Sequence, residues 1–179
     1  MGSDAENSEE HALAERFSAA YRELSPRVLG YLRLHGVDDP ESITQDVFLA
    51  LYPRLPAVIG GEDGVRTLTF SIAHARVVDH HRARTRAPAL VPFDPDADPR
   101  HVPSAEDVHG AAVDEQNTLA LLHRLGDDQR EALTLRVVAD LSLDETAQVM
   151  GRSIGAVKQL QRRALEALRT IVSAEAAHE

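Results

Sequence analysis

The chain has 179 residues, a net charge of −10 and 43% hydrophobic residues, enough for one domain or two small ones. It has no cysteine, which excludes disulfides, thiolate catalysis and Cys-ligated zinc or iron–sulfur sites. No apolar run reaches the roughly 20 residues of a membrane span. Residues 1–15 carry five acids without a Lys or Arg, unlike a secretory leader. We therefore expect a soluble cytoplasmic protein without membrane insertion.

The N-terminal part of the chain is predicted to start with a disordered acidic tail, because residues 1–11 lack apolar periodicity. From Ala12, apolar residues recur every three or four positions, the spacing of one helix face. Pro26 is expected early in a second helix, where its missing N–H matters little.

Two further helices are predicted before residue 87. Asp39 followed by Pro40 is typical of a helix start, and Pro53 marks its end. Residues 58–64 are expected to form a loop, because three of the seven are glycine. A helix then follows over residues 65–86.

Residues 87–115 are predicted to form an acidic linker, because they hold five prolines and seven acids against one Arg. The linker separates a helical domain over residues 12–86 from a second over residues 116–173, and residues 174–179 form a tail. The sequence thus predicts an all-α protein of two small helical domains.

The second domain contains a helix-turn-helix pattern. Ser142 with Glu145 forms a capping box that begins one helix, and Gly151 ends it. Ser153 caps the next helix, which runs to about Val172. In such motifs the second helix enters the DNA major groove.

The second helix of this motif has two faces. Its predicted buried stripe is Ile154, Val157, Ala164, Leu168 and Ile171. Small and polar residues around the opposite face are candidate DNA contacts: Arg152, Ser153, Gly155, Ala156, Lys158, Gln159, Arg162 and Arg163. The alternative is that these are ordinary solvated side chains of a bundle helix.

Three stretches of sequence resemble one family. The C-terminal pattern consists of Leu125, Arg130, Leu135-Arg136, Leu141-Ser142, Glu145, Ala147, Gly151, Ser153, Gly155, Val157-Lys158, Arg163-Ala164 and Leu168-Arg169. It resembles region 4 of bacterial extracytoplasmic-function (ECF) sigma factors. Residues 41–49 resemble region 2.2 of that family, and residues 72–82 resemble its regions 2.3–2.4. The resemblance covers roughly residues 12–172.

The resemblance implies a protein that binds core RNA polymerase, recognises the −35 and −10 promoter elements and helps to open the duplex. Core polymerase contacts would be Gln45, Asp46 and Leu49. Contacts to the −10 element would be His74, Arg76, His80, Arg82, Arg84 and Arg86. The candidate DNA contacts of the helix-turn-helix would meet the −35 element. An anti-sigma factor is a candidate partner, and neither a cofactor nor enzymatic activity is implied.

Two other functions are compatible with parts of the sequence. A LuxR-type regulator also carries a helix-turn-helix with a similar sequence pattern. That interpretation does not account for the patterns at residues 41–49 and 72–82. Asp79-His80-His81 spells the signature of DHH phosphoesterases, and Asp94, Asp96 and Asp98 could be offered as metal ligands. Adjacent histidines on a helix point about 100° apart, which is poor geometry for joint chelation.

Overall fold

The computed structural model describes residues 2–86 and 120–176, and every regular element in these two ranges is helical. The elements are α1 (Gly2–Leu34), α2 (Pro40–Leu51), a 3₁₀ helix (Tyr52–Ala57), α3 (Gly61–Arg86), α4 (Asp127–Val137), α5 (Leu143–Met150) and α6 (Ile154–Ala176). The all-α class is confirmed. The linker predicted over residues 87–115 lies outside the described residues.

Helix α1 is longer than the sequence predicts. It runs unbroken from Gly2 to Leu34, through most of the predicted disordered tail and through Pro26. Residues 3–25 contain neither Gly nor Pro, so nothing stops the helix from extending towards the N-terminus. Proline inside a helix costs about 3 kcal/mol. The fully buried side chains that follow it, Val28 and Leu32, contribute roughly 1.5–3 kcal/mol each and offset that cost.

Helix α2 begins as predicted. The Asp39 carboxylate accepts a hydrogen bond from the Ser42 N–H at 3.0 Å, and Pro40 occupies the first helical position. The chain passes from Leu51 directly into the 3₁₀ helix, because Pro53 and Pro56 cannot donate the bonds that would continue an α-helix.

Helix α3 starts at Gly61, whereas the sequence predicts a loop up to residue 64. Gly60 has a φ of +94°, which lets the chain turn sharply into the helix, and the Gly64 N–H donates to the Gly60 carbonyl at 3.2 Å. A Cβ on Gly64 would collide with the carbonyl oxygen of Ile59. These glycines therefore form a tight helix start instead of a loop.

The helix-turn-helix forms as predicted from Ser142 onward. The Ser142 hydroxyl accepts from the Glu145 N–H at 3.2 Å, and the Glu145 carboxylate accepts from the Ser142 N–H at 2.6 Å. Gly151 ends α5 in the left-handed conformation, with a φ of +60°. The Ser153 hydroxyl accepts from the Ala156 N–H at 3.2 Å and caps α6.

The two helical parts of the chain pack directly on each other. One apolar core contains residues of α1, α2 and α3 together with Leu135, Ala139, Leu141 and Val149 from the second part. A smaller cluster holds α6 against the residues before it through Leu122, Leu125, Leu133 and Ala164. Helices α4 and α5 therefore lie between α6 and the first part of the chain. The division into domains at residues 12–86 and 116–173 stays a prediction.

Candidate nucleic-acid interface

The N-terminal half of α6 presents a polar face to solvent. Val157 and Ala164 are fully buried against the rest of the second part, which fixes the rotation of the helix. Ala156 is half-buried. The remaining candidate contacts are exposed: Arg152, Ser153, Gly155, Lys158, Gln159, Arg162 and Arg163. The structure thus brings this set together on one accessible surface.

One member of the predicted buried stripe of α6 is misplaced. Ile154 is 41% exposed, because it is the first residue of the helix and lies at the edge of the packed surface. Leu168 and Ile171 are half-buried, while the sequence predicts full burial. The packing of α6 depends mainly on Val157 and Ala164.

Two arginines on this surface have carboxylate partners. Arg152 pairs with Asp128 of α4 at 2.6 Å, and Arg162 lies 3.8 Å from Glu166 one turn later. Exposed pairs of this kind contribute about 0–1 kcal/mol. Phosphate groups of DNA can therefore replace these partners at small cost.

Helix α2 presents a second exposed surface. Val47, Phe48 and Leu51 face the core, so Gln45, Asp46 and Leu49 point outward. Leu49 is 72% exposed, so this surface combines one large apolar side chain with two polar ones.

An aromatic cluster adjoins α2 and was missed by the sequence analysis. The rings of Phe17 and Tyr52 are 5.1 Å apart, and those of Tyr21 and Phe48 are 4.8 Å apart. Tyr21 and Tyr52 are about 40% exposed. Phe17 and Tyr21 lie four residues apart on one face of α1, and this spacing predicts that both rings are buried. The partial exposure of the aromatic cluster was therefore not predicted.

Helix α3 carries the basic side chains predicted to meet the −10 element. Arg76, Arg82 and Arg84 are exposed. Arg84 and His80 both contact Asp38, at 3.2 and 3.5 Å. Arg82 lies 3.9 Å from Asp79, and Arg86 is the last residue of α3.

His74 does not lie on the open face of α3. Its Nδ1 is 2.9 Å from Oε1 of Glu131, a residue of α4 that is only 6% exposed. The Tyr31 hydroxyl donates to the same oxygen at 2.7 Å, and Nε2 of His35 lies 3.1 Å from Oε2. We call Tyr31, His35, His74 and Glu131 the interdomain cluster. Only His74 was singled out by the sequence, because contacts across 57 to 100 residues leave no local pattern.

Burial and hydrogen bonding shift the pKa values of this cluster. Burial lowers the pKa of His35 to about 4, so its ring is neutral at pH 7. The hydrogen bond with Glu131 raises the pKa of His74, although burial opposes it. Burial alone would raise the pKa of Glu131, but the bond from His74 and the neighbouring charges lower it overall. At neutral pH Glu131 is therefore ionised in the cluster.

The described residues give little support to metal chemistry. Asp79, His80 and His81 lie on α3, and the rings of His80 and His81 are tilted by 75° with centroids 5.7 Å apart. Within residues 2–86 and 120–176, no group of three His, Asp or Glu side chains is arranged to hold a metal ion. Asp94, Asp96 and Asp98 lie outside these ranges.

In the two ranges that the structure describes, no helix is long and apolar enough to span a membrane.

Comparison with known proteins gives consistent matches. The family model for sigma-70 region 4 matches residues 121–170. The ECF RNA polymerase sigma factor ShbA of Streptomyces griseus is 33% identical over 73% of this chain and 70% of its own length. SigD of Mycobacterium tuberculosis, another ECF sigma factor, is 35% identical over 72% of this chain and 61% of its own length.

A solved structure shares the fold. The sigma factor RpoE of Bartonella quintana, in complex with the anti-sigma factor NepR, superimposes with a TM-score of 0.70. It is 20% identical and covers 88% of this chain and 96% of the matched chain.

This chain belongs to the ECF sigma factors of RNA polymerase, the class of proteins that direct transcription initiation at promoters. The resemblance found in the sequence is confirmed. The comparisons favour neither a LuxR-type regulator nor a DHH phosphoesterase.

Proposed function

We propose that this sigma factor uses three separate surfaces during initiation. Gln45, Asp46 and Leu49 on α2 contact core RNA polymerase. The basic side chains of α3 meet the −10 element, and the exposed polar face of α6 meets the −35 element. The observation that carries the proposal is the exposure of that whole face of α6 beside the fully buried Val157 and Ala164.

The charge of the chain indicates how these surfaces work. A net charge of −10 opposes binding to DNA by the free chain, because phosphate contacts dominate the affinity of such complexes. Local basic side chains on α3 and α6 still suit contacts to phosphates and base edges. The polymerase would supply the remaining affinity, so promoter recognition belongs to the holoenzyme.

Other features of the proposal follow from the family. We place the action of the chain in the cytoplasm, where sigma factors act on DNA-bound polymerase, and we assign no catalytic step and no cofactor to it. The relative from Bartonella quintana is held in a complex with an anti-sigma factor. A regulatory partner of that kind is the corresponding proposal for this chain.

The α2 surface gives a direct test. Replacing Gln45, Asp46 and Leu49 together by Ala removes exposed side chains and opens no cavity, so helicity should be unchanged. Affinity for core polymerase, measured by fluorescence anisotropy, should fall at least roughly tenfold, the effect of about 1.4 kcal/mol.

A matched control uses Val137, Asp144 and Gln148, which are exposed residues of the same chemical types on α4 and α5. Their triple replacement by Ala should leave the affinity for core polymerase within about twofold of the wild type. Equal affinities of the two triple variants would contradict the assignment of α2.

A further inference from the structure

Lysine occurs once in this chain, and it lies on the exposed polar face of α6. Arginine supplies all but one of the 19 Lys and Arg side chains, so it is the usual source of positive charge in the sequence. The two residues differ in reactivity. A guanidinium stays protonated, whereas a lysine amine can lose its proton and act as a nucleophile. Lys158 is therefore the one side chain of the sequence that can form an amide with an acyl group.

The amine of Lys158 is accessible from solvent. Lys158 is exposed. Gly155, one turn earlier, has no side chain, and a Cβ placed there would meet only Oγ of Ser153, at 4.0 Å. The neighbouring Arg152 and Arg162 both have carboxylate partners. Among the residues that the structure describes, Lys158 has none. Its amine is therefore open to a reactant and is not held in an ion pair.

A shallow groove of about 310 Å³ runs along α6 from Lys158 towards the C-terminus of the helix. It is lined by Lys158, Gln161, Arg162, Leu165, Glu166 and Arg169. Three cations face one carboxylate, so the groove attracts anions. Leu165 is 41% exposed and offers an apolar surface beside the cations. The groove therefore fits a small molecule that combines a phosphate group with a short acyl chain.

We propose that Lys158 is an acylation site, that its donor is an acyl phosphate bound in this groove, and that acylation removes the −35 contact of α6. The lone pair of the unprotonated Nζ forms a bond to the acyl carbon. The bond between that carbon and the phosphate oxygen breaks, and phosphate leaves with the electron pair. The nitrogen releases one proton to solvent. Arg162, one turn from Lys158, positions the phosphate.

The modification acts on one surface and leaves the others intact. An acylated lysine is neutral, so α6 loses a positive charge that can meet a phosphate or a base edge. The side chain is exposed, so the fold is not disturbed. The contacts of α2 with core polymerase do not involve α6. This inference rests on the proposed function, because that function assigns the polar face of α6 to the −35 element.

The first experiment tests the site and its donor. The full chain is treated with acetyl phosphate, and peptide mass mapping follows the reaction over time. An acetyl group should form on Lys158. Arg162→Gln should slow this reaction about fivefold, the effect of one exposed ion pair. The matched control Arg22→Gln, an exposed position on α1, should change the rate less than twofold. An unmodified Lys158, or equal rates for the two variants, would overturn the proposal.

The second experiment tests the consequence without a substitution. A partly acetylated sample of the chain is bound to excess core polymerase and mixed with a limiting amount of a promoter fragment. Bound and free complexes are separated, and the acetylated fraction of Lys158 is measured in each. That fraction should be at least about fivefold lower on the promoter, as expected for a lost base contact. Equal fractions in the bound and free complexes would overturn the proposal.

A parallel separation distinguishes failure of this inference from failure of the proposed function. When core polymerase is limiting and DNA is absent, the acetylated fraction should be equal in the bound and free chains. If the unmodified chain gives the polymerase no affinity for any promoter fragment, the proposed function is wrong, and the acylation switch that rests on it falls too. If it does so and the acetylated chain binds equally well, only the acylation switch is refuted.

Discussion

Tyr31 and Glu131 lie 100 residues apart in the sequence, and the Tyr31 hydroxyl donates a 2.7 Å hydrogen bond to the buried Glu131 carboxylate. Burial raises the pKa of Tyr31 well above its usual value, and the adjacent negative charge adds to the effect. The phenol thus remains a donor throughout the physiological range. This bond links α1 to α4 and sets the relative position of the two helical parts.

The first prediction concerns the pH dependence of this packing. His35 has a pKa of about 4 when packed and about 6.5 when free, so its contribution to packing is present above pH 6.5 and is lost as the pH falls towards 4. The pKa of His74 is raised, so its contribution is present below pH 6.5 and is lost as the pH rises through the raised value. Glu131, whose pKa is lowered, contributes above pH 4.5 and stops contributing as the pH falls through its lowered value.

Acidification from pH 7 to pH 5 removes the His35 contribution to packing and adds that of His74. Because the lowering of the His35 pKa is the larger of the two shifts, the chain should be most compact near neutral pH and expand on acidification to pH 5. The titratable and charged groups that face His35 are Tyr31 from α1, His74 and His81 from α3, and Arg130 and Glu131 from α4. Small-angle scattering between pH 5 and pH 8 measures the change. His35→Gln, which cannot titrate, should reduce the expansion, and a wild-type radius that is constant from pH 7 to pH 5 would contradict the assignment.

The second prediction separates DNA contact from packing on α6. Lys158→Ala and Arg162→Ala remove exposed side chains, so the free energy of unfolding should change by no more than about 0.5 kcal/mol. Each lost phosphate contact should lower the salt slope of promoter binding by roughly one unit, and each lost base contact should cost about 1–3 kcal/mol. Promoter binding by the holoenzyme, measured at several salt concentrations, distinguishes the two kinds of contact.

Val157→Ala is the packing control for the same helix. Its side chain is fully buried, so truncation should destabilise the fold by roughly 1–3 kcal/mol. Thermal melts should show this loss for Val157→Ala alone. If the Lys158 and Arg162 variants both melt and bind promoter like the parent, the polar face of α6 does not contact DNA.

The third prediction compares the replacement of Gly by Ala at two sites, where it should change the free energy of unfolding in opposite directions. Gly64→Ala introduces a Cβ that collides with the Ile59 carbonyl, so the fold should lose roughly 1–3 kcal/mol. Gly155→Ala adds a Cβ near the start of α6 at an ordinary van der Waals distance of 4.0 Å from Oγ of Ser153, so the fold should gain up to about 1 kcal/mol. Urea denaturation of both variants measures the difference, and a Gly64→Ala variant as stable as the wild type would refute the tight start of α3.

Local signals in the sequence predicted most helix boundaries. The Asp39 cap, the capping box of Ser142 with Glu145 and the Gly151 stop each depend on residues three or four positions apart, and all three form as expected. The errors arose where core packing or a close approach of the backbone overrides the local preference of the sequence. Burial of Val28 and Leu32 carries α1 through Pro26, and the approach of Gly64 to Ile59 turns an expected loop into a helix start.

The candidate site was predictable to different extents. The exposed polar face of α6 was predictable, because its polar residues recur three or four positions apart, which is one turn of a helix. The engagement of His74 by Glu131 could not be predicted, because it depends on how two parts separated by 57 residues pack together. Such a contact appears only when the tertiary arrangement is known.

The most direct test of the central claim is run-off transcription by purified core polymerase with and without this chain, followed by mapping of the RNA 5′ ends on a library of bacterial promoter fragments. The account predicts discrete start sites that appear only when the chain is added. The DNA upstream of these sites should share one sequence element near −10 and a second near −35. Transcripts that remain scattered and unchanged on addition of the chain would contradict it.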